Sequence, residues 1–170
     1  LGVAREIALI DDSKVLNTEY KYENSNFKME DNVKINIHES KLCKRYSSVL
    51  IRNITVKESP NWLKESLELI GQKSINSIVD IANYIMFDLG QPLHAFDYDL
   101  IYGKEIHVKK IENKQKFISI NNAEYLISED DLVICDSEKP IAIAGVIGGK
   151  NSCVSDNTKN ILVESAVFDD

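Results

Sequence analysis

Apolar positions between Ile75 and Leu89 recur at steps of three and four, placing Ile75, Ile78, Val79, Ala82, Ile85, Met86 and Leu89 on one helical face. The spacing predicts a helix capped by Ser74, ended at Gly90 by a left-handed residue and barred from continuing by Pro92. His94, in GQPLHAFD, then sits just beyond a rigid helix end. Asp80 and Asp88 are assigned to the solvated face or end of this helix. Upstream, SSVLIRNITV is β-branched with partial alternation and predicts a strand, after which Ser59-Pro60 starts a helix over NWLKESLELI that Gly71 ends.

After Gly103 the pattern changes to short strands: EIHVKKI, QKFISI, EYLI, DLVIC and IAIAGVI, separated by polar turns, with NILVESAVF as the last. A helix-like LGVAREIALI opens the chain, and residues 13–34 are polar with weak periodicity, hence a loop or connection. The expected class is α+β, with helices mainly in the first half. The expected organisation is a helix end and variable connection over 1–40 and one domain over 41–170, helical over 41–100 and β-rich over 101–170. With no initiator methionine and an abrupt end after an apolar run, the chain is expected to be a segment of a longer protein.

Composition narrows the function classes. With 44% hydrophobic residues, the 170-residue chain can bury a substantial core. Its formal charge is −7, so general attraction to phosphate backbones or anionic membranes is not expected, and any nucleic-acid contact must be local. Cys43, Cys135 and Cys153 are widely spaced, with no ligand cluster around His38, His94 and His107, so a reduced, metal-free, cytoplasmic protein is expected, with no membrane partner. Surface placement explains His38 and His107.

Three stretches are candidates for chemistry. His94 has the position to orient a water or transfer a proton near neutral pH, although a lone histidine is more often structural. In IAIAGVIGGK, Gly148 and Gly149 either bring backbone N–H groups to a ligand or build a hairpin turn; Asn151 after Lys150 does not fit a P-loop. In ILVESAVF, alternation puts Glu164 on one face with Leu162 and Ala166. Either an unpaired carboxylate sits among apolar side chains, at a cost unless something pairs with it, or the strand is an edge with Glu164 in solvent.

Four blocks, CKRYSSVLIRNITV, SPNWLKESLELIGQKSINSIVDIANYIMFDLGQPLHAFD, IAIAGVIGG and ILVESAVFD, resemble in order and spacing the editing region of bacterial phenylalanyl-tRNA synthetase β subunits. The resemblance runs from about Leu42 to Asp170, with GVARE resembling the preceding stretch. It implies a three-layer α+β arrangement of helices and mostly antiparallel sheets in two intimately packed modules. It also implies hydrolysis of the ester of tyrosine mischarged on phenylalanine tRNA. Residue by residue, it places the family's histidine at His94, its pocket glycine at Gly148 with Gly149 beside it, and the glutamate that receives the tyrosine hydroxyl at Glu164. Where many relatives carry threonine in a VTNY-like block, this chain has Ala82, followed by Asn83, which removes a hydroxyl contact. The implied partners are phenylalanine tRNA and a catalytic α subunit in an α2β2 tetramer. ATP and magnesium belong to the parent synthetase, with no cofactor in this segment. The alternative is a noncatalytic module that holds the tRNA acceptor end or packs against other synthetase domains.

Overall fold

The structure is a computed structural model that describes residues 2–15, 28–29 and 32–169. Most of the connection expected over 13–34 lies outside the described residues. The first helix, α1, spans Gly2–Ile10 and buries none of its side chains.

Helix α2, Asn61–Leu69, follows Pro60 and buries Leu63 and Leu67, one turn apart. Gly71, at φ 80°, ends it as expected. Helix α3 spans Ser77–Leu89 and stops at Gly90, whose left-handed φ of 77° brings its N–H to Met86 O at 2.8 Å. Its N-cap is Asn76, not Ser74: the Asn76 side chain accepts from the Ile78 and Val79 N–H groups, both at 3.1 Å. Ser74 is engaged elsewhere, because Asp80 is buried rather than solvated. The Asp80 carboxylate accepts from Ser59 Oγ at 2.5 Å, Ser74 Oγ at 2.6 Å and the Ile75 N–H at 2.8 Å. Burial pushes this carboxyl up, but these bonds and one from the Asn76 backbone outweigh it and leave the group below its ordinary value. The three hydroxyl and backbone donors tie the entry of α2 to the entry of α3. Asp80→Ala is expected to cost about 3 kcal/mol, because it strands buried donors, and urea unfolding of the two proteins measures it.

The strands form a five-stranded, a three-stranded and a two-stranded sheet. In the first, β1 (Lys34–Ile37), β4 (Glu105–Lys110), β7 (Leu132–Cys135), β8 (Pro140–Ile143) and β9 (Ile147–Gly148) lie in that order. Only β1 and β4 pair in parallel; the other neighbours are antiparallel. Strand β1 lies within the stretch read as variable connection: Lys34–Ile37 pairs residue for residue with Glu105–Val108, so the sheet extends upstream of residue 41. The helix-bearing first half also supplies β2 (Cys43–Ile51), which overlaps the strand expected over SSVLIRNITV, and β3 (His94–Asp97) in the stretch after α3. These two flank β10 (Ile161–Phe168) in the antiparallel three-stranded sheet. A separate hairpin, β5 (Gln115–Ile118) with β6 (Glu124–Ile127), completes the set.

The short apolar run of β7 is buried on both faces. Ile134 joins one cluster with Phe96, Leu162, Ile106, Val108 and Ile141, which glues the three-stranded sheet to the five-stranded one. Val133 and Cys135, pointing the other way, pack against Phe117 and Ile127 of the β5–β6 hairpin. The α+β class with mainly antiparallel sheets is thus the one expected. IAIAGVI, however, is not one strand. The chain reverses at Ala144–Val146, with Gly145 at φ 68° and the Val146 N–H donating to Ile143 O at 3.1 Å, so β8 and β9 are a hairpin.

Candidate functional site

The functional side chains are organised by the register of the three-stranded sheet. Directly paired residues of antiparallel strands put their side chains on the same face. Leu50, Leu162 and Phe96 are aligned across β2, β10 and β3 and form an apolar row. Two residues further along β10, Ser48, Glu164 and His94 are aligned in the same way and form a polar row. The next position pairs Tyr46 with Ala166. Strand β10 is therefore central, and Glu164 is buried at 6% exposure instead of facing solvent from an edge.

His94 and Glu164 of this row border a cavity of about 510 Å3 between the two larger sheets. His94, Glu164, Ala166 and Phe168 line it from one side, and Ile134, Ala142, Ile147 and Gly148 from the other. Three of the sequence-predicted residues, His94, Gly148 and Glu164, thus converge on one space. Gly148 is required by contact rather than by φ. A Cβ built there would lie 2.6 Å from His94 Nε2 and closer still to Cε1, so the imidazole packs directly on the bare backbone. The His94 ring also meets Phe96 edge to face at 4.5 Å between centroids.

Neither glycine of the pair forms a turn, and neither has a positive φ; the hairpin turn lies earlier, at Gly145. Gly149 does not line the cavity. Its N–H donates to Ile141 O at 2.7 Å, so it is committed to the sheet and is not a free oxyanion donor. A Cβ at Gly149 would crowd Asn151 Oδ1 and Ile141 O, which makes this glycine a packing requirement. Ala82 and Asn83 lie on α3 and are not among the lining residues either. The chain leaving α3 reaches the cavity only at Gln91, Pro92 and Leu93. Ser48 and Tyr46, unremarked in the sequence, join Glu164 through strand pairing. The signal was the alternation Tyr46-x-Ser48-x-Leu50, but its partner strand is more than a hundred residues away. His38 and His107 lie apart from the cavity, with His38 Nε2 3.0 Å from His107 Nδ1.

Burial dominates the electrostatics of Glu164 and His94. Burial pushes the Glu164 carboxyl up to about 7. Burial pushes the His94 imidazole down to about 4, so it is neutral at physiological pH. His94 Nε2, Ser48 Oγ and Tyr46 Oη are buried without a hydrogen-bond partner. Such orphans are rare in folded proteins; of the three, His94 lines the cavity, while Ser48 and Tyr46 do not.

Stability carries the same signature with a definite sign. Glu164 has a folded pKa of about 7 against an ordinary 4.5, so its contribution is fully present below 4.5 and lost as pH rises to 7. His94, at about 4 against 6.5, contributes fully above 6.5 and loses that contribution as pH falls to 4. The two oppose one another between 4.5 and 6.5. Glu164→Gln removes the first effect, so its stability relative to wild type is expected to rise by about 3 kcal/mol from pH 4 to pH 8. Denaturation midpoints of both proteins across that range check it, and a pH-independent difference would mean that Glu164 is well solvated.

The fold and the site are those of a small α+β domain with one buried carboxyl and a neutral histidine on the wall of its cavity. The B3/4 domain model matches residues 42–170, and the chain belongs to that family. It is 44% identical over 174 residues to the phenylalanine–tRNA ligase β subunit of Protochlamydia amoebophila, covering 99% of this chain and 21% of that protein. It is also 44% identical over 170 residues to the phenylalanine–tRNA ligase β subunit of Dehalococcoides mccartyi, with the same coverage. The chain spans about a fifth of the length of the curated relatives it matches. An N-terminal fragment of the phenylalanyl-tRNA synthetase β subunit from Pyrococcus horikoshii shares the fold, with a TM-score of 0.58, 17% identity and coverage of 99% of this chain and 51% of that one.

Proposed function

We propose that this chain is the editing domain of a phenylalanine–tRNA ligase β subunit and hydrolyses the ester of tyrosine mischarged on phenylalanine tRNA. The observation that carries this reading is the paired Glu164 and His94 side by side on the wall of a cavity whose other side chains, Gln91 apart, are apolar. A pocket that admits tyrosine admits phenylalanine too, so discrimination has to come from the hydroxyl. Glu164 supplies the acceptor. A charge-assisted hydrogen bond contributes roughly 1.5–3 kcal/mol, and phenylalanine in the same place leaves the carboxylate desolvated and unpaired.

Hydrolysis of an aminoacyl ester needs a placed water more than a strong base. His94, with its pKa near 4, is a weak base at neutral pH and orients the ester or the water through Nε2. Gly148 lets the substrate and the imidazole approach bare backbone. Gly149 acts by holding β9 against Ile141. Ala82 and Asn83 lie on α3 outside the cavity lining, so this reading assigns them no substrate contact.

In the parent protein the reading implies a catalytic α subunit in an α2β2 tetramer, phenylalanine tRNA as partner and a cytoplasmic location. ATP and magnesium would serve ligation in the parent protein; among the described residues that line the cavity the one carboxylate is Glu164 and there is no lysine or arginine. No helix among the described residues is long and apolar enough to cross a membrane. The test is deacylation of tyrosyl-tRNA and phenylalanyl-tRNA, both with the phenylalanine anticodon, by the full-length protein. Faster loss of tyrosine supports the reading, and equal rates sink it.

A further inference from the structure

Acidic residues outnumber basic ones in this chain, 27 to 20, so a place where lysines gather almost without acids stands out. Two adjoining clefts, of about 380 and 440 Å3, flank the start of β5 and share Gln115. Lys116, Lys139 and Lys150 line the first and Lys109, Lys110 and Lys114 the second, with Glu112 as the single acid in either lining. Four of these lysines come from KKIENKQK, and the fold adds Lys139 from the turn before β8 and Lys150 from just beyond β9. Lys116 is answered by Glu124 at 3.2 Å and Lys139 by the buried Asp136 at 3.5 Å. Among the described residues, Lys109, Lys110 and Lys114 form no ion pair, and Lys150 Nζ donates to the neutral side-chain oxygen of Asn122. Like charges so placed repel one another until an anion comes between them.

The lysine strip and the cavity meet at β9. Just past β5, the Ile120 N–H donates to Gly148 O at 3.0 Å and Ser119 bridges Gly149. Gly148 lines the cavity, and Lys150 stands two residues on, within about 7 Å along the chain. From Ile120 back to Lys114 the chain covers at most about 20 Å. We propose that this strip carries the phosphates of the RNA whose 3′ end enters the cavity, with Lys150 nearest the ester and Lys114, Lys109 and Lys110 further out. The proposal rests on the reading of the cavity as the site of an RNA-borne ester. It supplies the local nucleic-acid contact that a chain of formal charge −7 needs, since its net charge otherwise repels phosphate. RNA is favoured over an acidic protein segment as the occupant because the strip is fastened to the wall of the very cavity that the ester enters.

The experiment uses the full-length protein and follows kcat/KM for deacylation of tyrosyl-tRNA bearing the phenylalanine anticodon across a range of salt concentrations. Lys114→Glu combined with Lys150→Glu is expected to lower kcat/KM about tenfold or more at low salt, with the loss shrinking as salt rises. The slope of log kcat/KM against log salt falls by roughly 0.7 for each phosphate contact removed, about 1.4 for the pair. Lys57→Glu, the same charge change at an exposed lysine outside the strip, stays within twofold of wild type. Lys114 and Lys150 are exposed, so the double variant folds as the wild type does. A photo-reactive residue at position 150 gives a second readout that needs no turnover: with uncharged tRNA it captures the 3′-terminal nucleotides. A wild-type salt slope in the double variant, a loss that does not shrink with salt, or capture of protein instead of RNA from position 150 would each overturn the proposal. Equal deacylation of tyrosyl and phenylalanyl esters by the wild type, with capture of the 3′ end intact, would instead bring down the functional reading and leave the strip as an RNA contact.

Discussion

Gly148→Ala is expected to slow hydrolysis of tyrosyl-tRNA by about a hundredfold or more, since displacement of a catalytic group by about 1 Å costs that much. The new methyl would occupy space now held by His94 Nε2 and Cε1, and the imidazole also packs edge to face on the Phe96 ring, so it must shift. That shift removes both the bare backbone and the oriented nitrogen at one stroke. Overpacking of this kind costs about 1–3 kcal/mol of stability, so the thermal midpoint falls while unfolding stays cooperative. Single-turnover deacylation by the full-length protein measures the kinetic effect. A rate within twofold of wild type would mean that the ester does not react beside Gly148.

Glu164→Ala has the second large effect, and it acts on selectivity. Loss of a charge-assisted bond to the tyrosine hydroxyl, together with loss of the penalty on phenylalanine, is expected to reduce the preference for tyrosine by about ten- to a hundredfold. The wild-type preference carries a pH signature as well. The ionised carboxylate is the better acceptor, so the preference rises through the folded pKa of about 7 and flattens in the variant.

The ends of α3 were legible because local chemistry decides them: Gly90 and Pro92 end it as the sequence suggests, and the start was off by two residues because Asn76 outcompeted Ser74 for the cap. What drew Ser74 away was Asp80, and its burial depends on Ser59, twenty-one residues distant, which no helical periodicity can register. The apolar run IAIAGVI concealed a hairpin because a strand buried on both faces and a hairpin between two buried strands give the same composition. Gly145 was the sign that it breaks.

At the site, single residues were visible and their company was not. His94, Gly148 and Glu164 stood out through chemistry or through interrupted patterns, and the fold brings them to one cavity. Ser48 and Tyr46 look like ordinary strand residues until register sets them beside Glu164, and register between β2 and β10 is a property of the whole fold. Gly149, Ala82 and Asn83 illustrate the converse: proximity in sequence to a site residue, or membership of a shared block, placed them near the site without placing them in the lining.

The most direct measurement is single-turnover deacylation of tyrosyl-tRNA bearing the phenylalanine anticodon by the full-length protein, wild type against Glu164→Ala, with the phenylalanyl ester as control. Selective loss of tyrosine by the wild type, with the selectivity gone in the variant, is the expected result. Wild type and Glu164→Ala with the same tyrosine preference would contradict the assignment of the buried carboxyl as the group that reads the substrate.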